Sequence, residues 1–222
     1  MQRAYRLAAA GVVTFLLGLI ILFPARVAYE MFVPDGVAVS GLSGSIWRGR
    51  ARELSASGIY VRDIEWRVKP LALLGGRFAV AVEAAPSGGF VEADVSLGLG
   101  GSIRMTDLNA SLSLNSLSDL VGMGALSGTA NARFERLEFE DNFPVNANGS
   151  VELANVFAAV VAREPIGGYL AEFQSADGVI TASVEDTDGV FDIAGQLQLT
   201  PDRNYLFLGL VAPKDTTPAR QR

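Results

Sequence analysis

The densest run of side chains able to do chemistry is Glu185-Asp186-Thr187-Asp188-Gly189, which has the carboxylate density of a calcium loop. A helix-loop-helix calcium site counted from Asp186 needs an oxygen ligand at its fifth position, glycine at its sixth and a bidentate glutamate at its twelfth. Those positions hold Val190, Phe191 and Leu197. The segment therefore reads as an acidic hairpin turn. Glu135, Glu138, Glu140 and Asp141 form a second acidic strip, either a solvated strand face or a surface for a basic partner. Gly98, Gly100 and Gly101 make no dinucleotide fingerprint, because no helical pattern follows them.

The chain has no histidine and no cysteine. That removes the commonest general base and metal ligand, any Ser-His-Asp triad, thiolate chemistry and disulfides. No pair of carboxylates has a convincing catalytic spacing. The expectation is a protein without enzymatic activity, metal or cofactor. A formal net charge of −6 argues against a broad nucleic-acid surface, which needs clustered cations.

The elements that would position a site begin with a hydrophobic segment. Leu7 to Phe23 is nearly unbroken in apolar residues, and as a helix it would be about 26 Å long, against about 30 Å for the hydrocarbon core. A weakly apolar extension to Phe32, with Tyr29 at headgroup depth, would complete a crossing, and Pro24 would kink or end the helix. Arg3 and Arg6 precede the run, which keeps the amino terminus cytoplasmic. A cleaved signal peptide is the rival, but neither Ala25 nor Ala28 completes a small-x-small cleavage site. The expected layout is a cytoplasmic start over 1–6, a transmembrane anchor with juxtamembrane extension over 7–32, a β-rich periplasmic domain over 36–213 and a polar tail over 214–222.

Beyond Gly36 the period becomes two. Ile64, Trp66 and Val68 alternate with Glu65, Arg67 and Lys69, and Val91, Ala93, Val95, Leu97 and Leu99 alternate with Glu92, Asp94 and Ser96. This is the pattern of antiparallel strands with one dry face. Breakers recur at Gly75-Gly76, Pro86-Ser87-Gly88-Gly89, Asp141-Asn142-Phe143-Pro144, Asp177-Gly178 and Pro201-Asp202-Arg203-Asn204. The phase slips between Phe134 and Leu137, which predicts a bulge or turn at Glu135-Arg136. Short helical turns are expected from Ser118 through Val121 and over Tyr169 to Phe173. The fold class predicted is mainly β: a long, curled antiparallel sheet, trough-like or a partial barrel, after one transmembrane helix. The dry face must then be closed by curling or by a partner, and Ala93, Val95, Leu97 and Leu99 are the candidate apolar concave face.

Both tryptophans lie between Gly41 and Phe78, in Gly44-Ser45-Ile46-Trp47-Arg48-Gly49-Arg50-Ala51 and Trp66-Arg67-Val68-Lys69-Pro70-Leu71. Each indole either packs a sheet with its N–H satisfied locally or binds a partner. Gly44, Trp47, Gly49, Trp66 and Pro70 are the candidate partner or structural signature. These two segments, with the short basic start and single anchor, resemble the type II secretion system protein N family. The resemblance continues through Leu71 to Arg77 and more diffusely to about Pro213. It implies a single-pass bacterial inner-membrane protein with a periplasmic β-rich domain, serving the machine that exports folded proteins across the outer membrane. Its implied partners are the inner-membrane platform and periplasmic secretin-associated proteins, and it implies no catalytic residues. The alternative is an AsmA-like periplasmic protein that binds or transfers lipid along the apolar concave face. An envelope hydrolase is disfavoured by the absence of histidine and cysteine.

Overall fold

The computed structural model describes residues 2–33, 36–56, 59–116, 126–158, 165–189 and 191–213. Helix α1, Gln2–Ile21, runs through the hydrophobic segment. Its last turn tightens, with Phe23 N–H donating to the Ile20 carbonyl at 3.3 Å, and Pro24 ends it because proline has no N–H and holds its predecessor extended. Helix α2, Ala25–Phe32, follows at once. The Tyr29 hydroxyl donates to the Val37 carbonyl at 2.7 Å, which ties α2 to the first strand. Among the described residues no helix is long and apolar enough to cross a membrane.

The rest is one antiparallel sheet of thirteen strands. These are β1 Val37–Ser40, β2 Ser43–Gly44, β3 Arg48–Ala56, β4 Ile59–Val68, β5 Arg77–Pro86, β6 Phe90–Gly98 and β7 Ile103–Ser113. Then come β8 Leu126–Glu140, β9 Phe143–Ala158, β10 Gly167–Ala176, β11 Val179–Asp186, β12 Phe191–Leu199 and β13 Tyr205–Pro213. From β3 onward each strand pairs with its successor, and a 3-10 helix, Pro70–Gly75, joins β4 to β5. The start differs: β1 pairs with the far half of β3 and β2 with its first residues.

The alternation seen in sequence becomes two faces. Val68, Val80, Val95, Met105, Leu137 and Ala147 are successive cross-strand partners from β4 to β9, an unbroken apolar row. One residue away, Arg67, Ala81, Asp94, Thr106, Arg136 and Asn148 make the matching row on the other face. The best-packed part is a cluster of Phe134, Ala147 and Ile180, against which Phe173 sets its ring 5.5 Å from that of Phe134. Some Cα atoms of β9 and β11 come within 8 Å, closer than the roughly 9.6 Å between next-nearest strands of a flat sheet. The sheet is bent there. Even so the chain exposes 15514 Å², against about 9,800 Å² for a compact globule of this mass. One layer of sheet leaves its apolar face part-buried at residues such as Val80, Val95 and Met105, and exposed along β13.

The predicted bulge is present, as a register shift opposite Phe134 and Arg136. Further shifts accompany Asp63 (φ 50°), Asp107 (φ 53°) and Asn155 (φ 52°), left-handed positions that short polar side chains tolerate. The turn between β8 and β9 is shorter than expected: Asp141 and Asn142, both at positive φ, make it alone, and Phe143 and Pro144 already belong to β9. Tyr169 to Phe173 is not a helical turn but part of β10, where Tyr169, Ala171 and Phe173 pair with Asp186, Val184 and Ala182. The predicted turn at Ser118 to Val121 lies outside the described residues.

The acidic strip is partly neutralised within the fold. Glu138 accepts from Arg104 Nε at 2.7 Å and has Arg136 Nε at 3.7 Å, while Asp141 pairs with Arg203 at 3.0 Å. Glu138→Gln is expected to cost about 1 kcal/mol, read as a lower urea midpoint, because the pair is half-buried and shared. An unchanged midpoint would show the pair to be idle.

Candidate functional site

The signature residues meet where the helices join the sheet. Gly44 turns the chain at φ 92°, and a Cβ there would lie 2.5 Å from the Arg48 carbonyl oxygen. The turn is closed by Ser45 N–H donating to Arg48 O at 2.9 Å. Trp47 is thereby presented to α1, and its indole N–H donates to the Ile20 carbonyl at 2.8 Å, an acceptor in the helix's last turn that otherwise has only the long bond from Phe23 N–H. Beside it, Ile46 N–H donates to Phe23 O at 3.0 Å and Pro24 forms a bridge with Ser45.

Trp66 completes the joint from β4. Its indole N–H donates to Ile46 O at 3.2 Å, and its ring lies over Gly49, where a Cβ would be 2.3 Å from Cζ2. Glycine is required at 49 by this approach, not by its backbone angles. Val68 N–H donates to Trp47 O at 2.7 Å. Pro70 stands two residues on, at the start of the 3-10 helix, where its missing N–H leaves no helical bond unmade. Gly44, Trp47, Gly49 and Trp66 therefore form one unit, with Pro70 adjoining it.

The residues expected on a concave face separate. Ala93, Val95 and Leu97 share the apolar face of β6, with Ala93 buried and Leu97 about half exposed. Leu99 does not join them. It lies in the turn beyond β6, 94 % exposed, because the strand ends at Gly98 and Gly101 turns the chain at φ 83°.

Among the described residues nothing in the geometry resembles a reaction centre. A shallow groove of about 410 Å³ on the polar face, lined by Arg48, Arg50, Glu65, Trp66, Arg67 and Glu83, is open and holds no buried acid–base pair. Among the described residues two groups titrate away from their usual ranges. Tyr60 is raised chiefly by its hydrogen bond with Glu53, and Asp202 is lowered chiefly by the hydrogen bond from Thr200; both are solvent-exposed. Around the Glu185–Gly189 turn, Asp186 accepts from the Ile193 N–H at 3.1 Å, a hairpin contact. Among the described residues no group of three or more acidic side chains could hold a metal ion.

One feature of this fold escapes a reading by alternation. β13, Tyr-Leu-Phe-Leu-Gly-Leu-Val-Ala-Pro, is the outermost strand, and it is apolar on both faces. Tyr205, Phe207 and Val211 continue the apolar face beside Leu199, Leu197 and Ile193. Leu206 and Leu208 sit on the other face beside Gln198 and Gln196, and all five are exposed. The available signal was nine consecutive uncharged residues after a turn.

Comparison with known proteins points to one family. A family model described as type II secretion system (T2SS), protein N, matches residues 35–221. A type II secretion system protein N from Aeromonas hydrophila is 22% identical over 232 residues, covering 100% of this chain and 91% of the relative. The protein of the same description from Vibrio cholerae is 22% identical over 206 residues, covering 82% and 75%. No solved structure matches.

Proposed function

This chain belongs to the type II secretion system protein N family, and from that premise we propose that it is a single-pass inner-membrane component whose periplasmic sheet binds other proteins of the secretion apparatus along β13. Membership gives it a role in type II secretion as a structural component of the cell envelope, not an enzyme. The observation that carries the proposed contact is β13 itself. An outer strand with unpaired backbone groups, apolar on both faces and without a charge is a template for strand addition. The partner is a platform or secretin-associated protein offering an extended segment that is also apolar.

The anchor in this reading is α1. Leu7, Phe15, Leu16 and Ile20 are exposed, so the helix presents apolar surface that the sheet does not cover. Its apolar stretch is at the short end of what spans a bilayer, a shortfall that flanking residues and local thinning absorb. Arg6 lies at its cytoplasmic end, and Trp47 and Tyr29 lie at the far interface. The chain should stay with membranes through alkaline carbonate extraction, with the sheet open to protease only from the periplasmic side. Release by carbonate would remove the anchor, and normal export from cells lacking the chain would remove the secretion role.

A second reading keeps a specific observation in its favour. The row from Val68 to Ala147 is apolar, buried at its two ends and part-exposed at Val80, Val95, Met105 and Leu137 between them, which suits a lipid chain lying in a trough. Phospholipid that co-purifies with the chain and is lost when Ala93, Val95 or Leu97 becomes charged would favour it over protein docking.

A further inference from the structure

We propose that the strand ends beside the helix joint rest in the membrane, with the leucines of the 3-10 helix Pro70–Gly75 and of the β6–β7 turn inserted among the lipids. At this end of the sheet β3 begins, β4 ends, β5 begins, β6 ends and β7 begins. The connections there are Pro-Leu-Ala-Leu-Leu-Gly and Leu-Gly-Gly-Ser. Leu71 is 78 % exposed, Leu74 87 % and Leu99 94 %. The two connections adjoin: a Cβ on Gly76, which caps the 3-10 helix, would lie 3.6 Å from Leu99 Cδ1. Three nearly bare leucines at adjoining tips form an apolar rim with no protein partner.

The occupant follows from what the rim stands beside. Trp47 is bonded to the last turn of α1 and Val68 N–H to Trp47 O, so the carboxyl end of β4 lies within a few residues of where the apolar helix ends. The 3-10 helix starts two residues later. Arg48 and Arg67 are cross-strand partners at this same end, exposed, with no ion pair among the described residues, and suit phosphate headgroups. Described turns elsewhere act as internal controls. Farther along the same end they are Asp141-Asn142, Asp177-Gly178 and Pro201-Asp202-Arg203-Asn204, and the opposite end has Pro86-Ser87-Gly88-Gly89. Among the described turns, the strongly exposed leucine tips lie next to the anchor, as expected if a bilayer touches the sheet there. A second membrane contact would fix the sheet's angle to the bilayer, which a single helix cannot do.

This rests on α1 as the anchor, and the test separates the two. The chain lacks cysteine, so Leu74→Cys, Leu99→Cys and Leu208→Cys each place one fluorescent label on the full chain reconstituted into phosphatidylethanolamine–phosphatidylglycerol vesicles. Labels at 74 and 99 are expected to be quenched several-fold more by lipid carrying a nitroxide near its headgroup than the label at 208, and less by aqueous iodide. Equal iodide quenching at all three positions would overturn the proposal. Leu71→Ser/Leu74→Ser introduced into the chain labelled at position 99 guards against a label that drags its own site into lipid: it must raise iodide access at 99, and unchanged access would also overturn the proposal. A chain that carbonate strips from membranes while its tips stay quenched would fail as anchored but stand as membrane-resting.

Discussion

Gly49→Ala is expected to cost about 3 kcal/mol, the upper end of what one added methyl group does in a packed site. The new Cβ would meet Trp66 Cζ2 at 2.3 Å and the Ser43 carbonyl oxygen at 2.7 Å. Neither neighbour yields cheaply. Ser43 is held by its pairing with Arg50, and the indole of Trp66 is held by its bond to Ile46 O. Displacing the ring breaks that bond, and through Ile46 and Trp47 it loosens the contacts with Phe23 and Ile20. The urea midpoint of the detergent-solubilised chain should fall, and tryptophan emission should shift to the red. A loss below about 0.5 kcal/mol, within the range of an ordinary surface substitution, would mean that the joint is not tightly packed.

Leu208→Lys should do the opposite: leave stability within about 0.5 kcal/mol and reduce export of secreted proteins about tenfold. Leu208 is 63 % exposed and lies on the face opposite the packed side, so little native packing is lost. A lysine on an outermost strand is a device by which sheets refuse additional strands, because pairing would desolvate its charge. Gln196→Lys is the matched control, the same charge on the neighbouring residue of β12, one strand in from the edge. Export that falls equally with both variants would indicate a surface-charge effect, and export that survives Leu208→Lys would remove β13 from the contact.

The sheet was legible because one layer with one dry face imposes a period of two. Ile64, Trp66 and Val68 announced β4, and the slip between Phe134 and Leu137 announced a bulge. The bulges at Asp63, Asp107 and Asn155 were hidden, since one left-handed residue leaves only a short polar side chain as its mark. Tyr169 to Phe173 misled because Tyr and Phe four apart suit a helix as well as a strand face, and pairing with β9 and β11 decides the matter. Leu99 kept the phase of β6 after the strand had ended, and β13 was obscured because it does not alternate. In the joint, the signature residues were conspicuous but their work was not. A bond from Trp47 to a carbonyl 27 residues earlier depends on how helix and sheet meet, which no local pattern encodes.

The most direct measurement is site-specific photocrosslinking in secreting cells, with the reactive residue at position 208 and, separately, at Ser183 on the polar face of β11. The account predicts that position 208 is captured by a protein identified by mass spectrometry as another component of the secretion apparatus, and that position 183 is not. Capture by neither position, capture of lipid alone, or equal capture at both would contradict it.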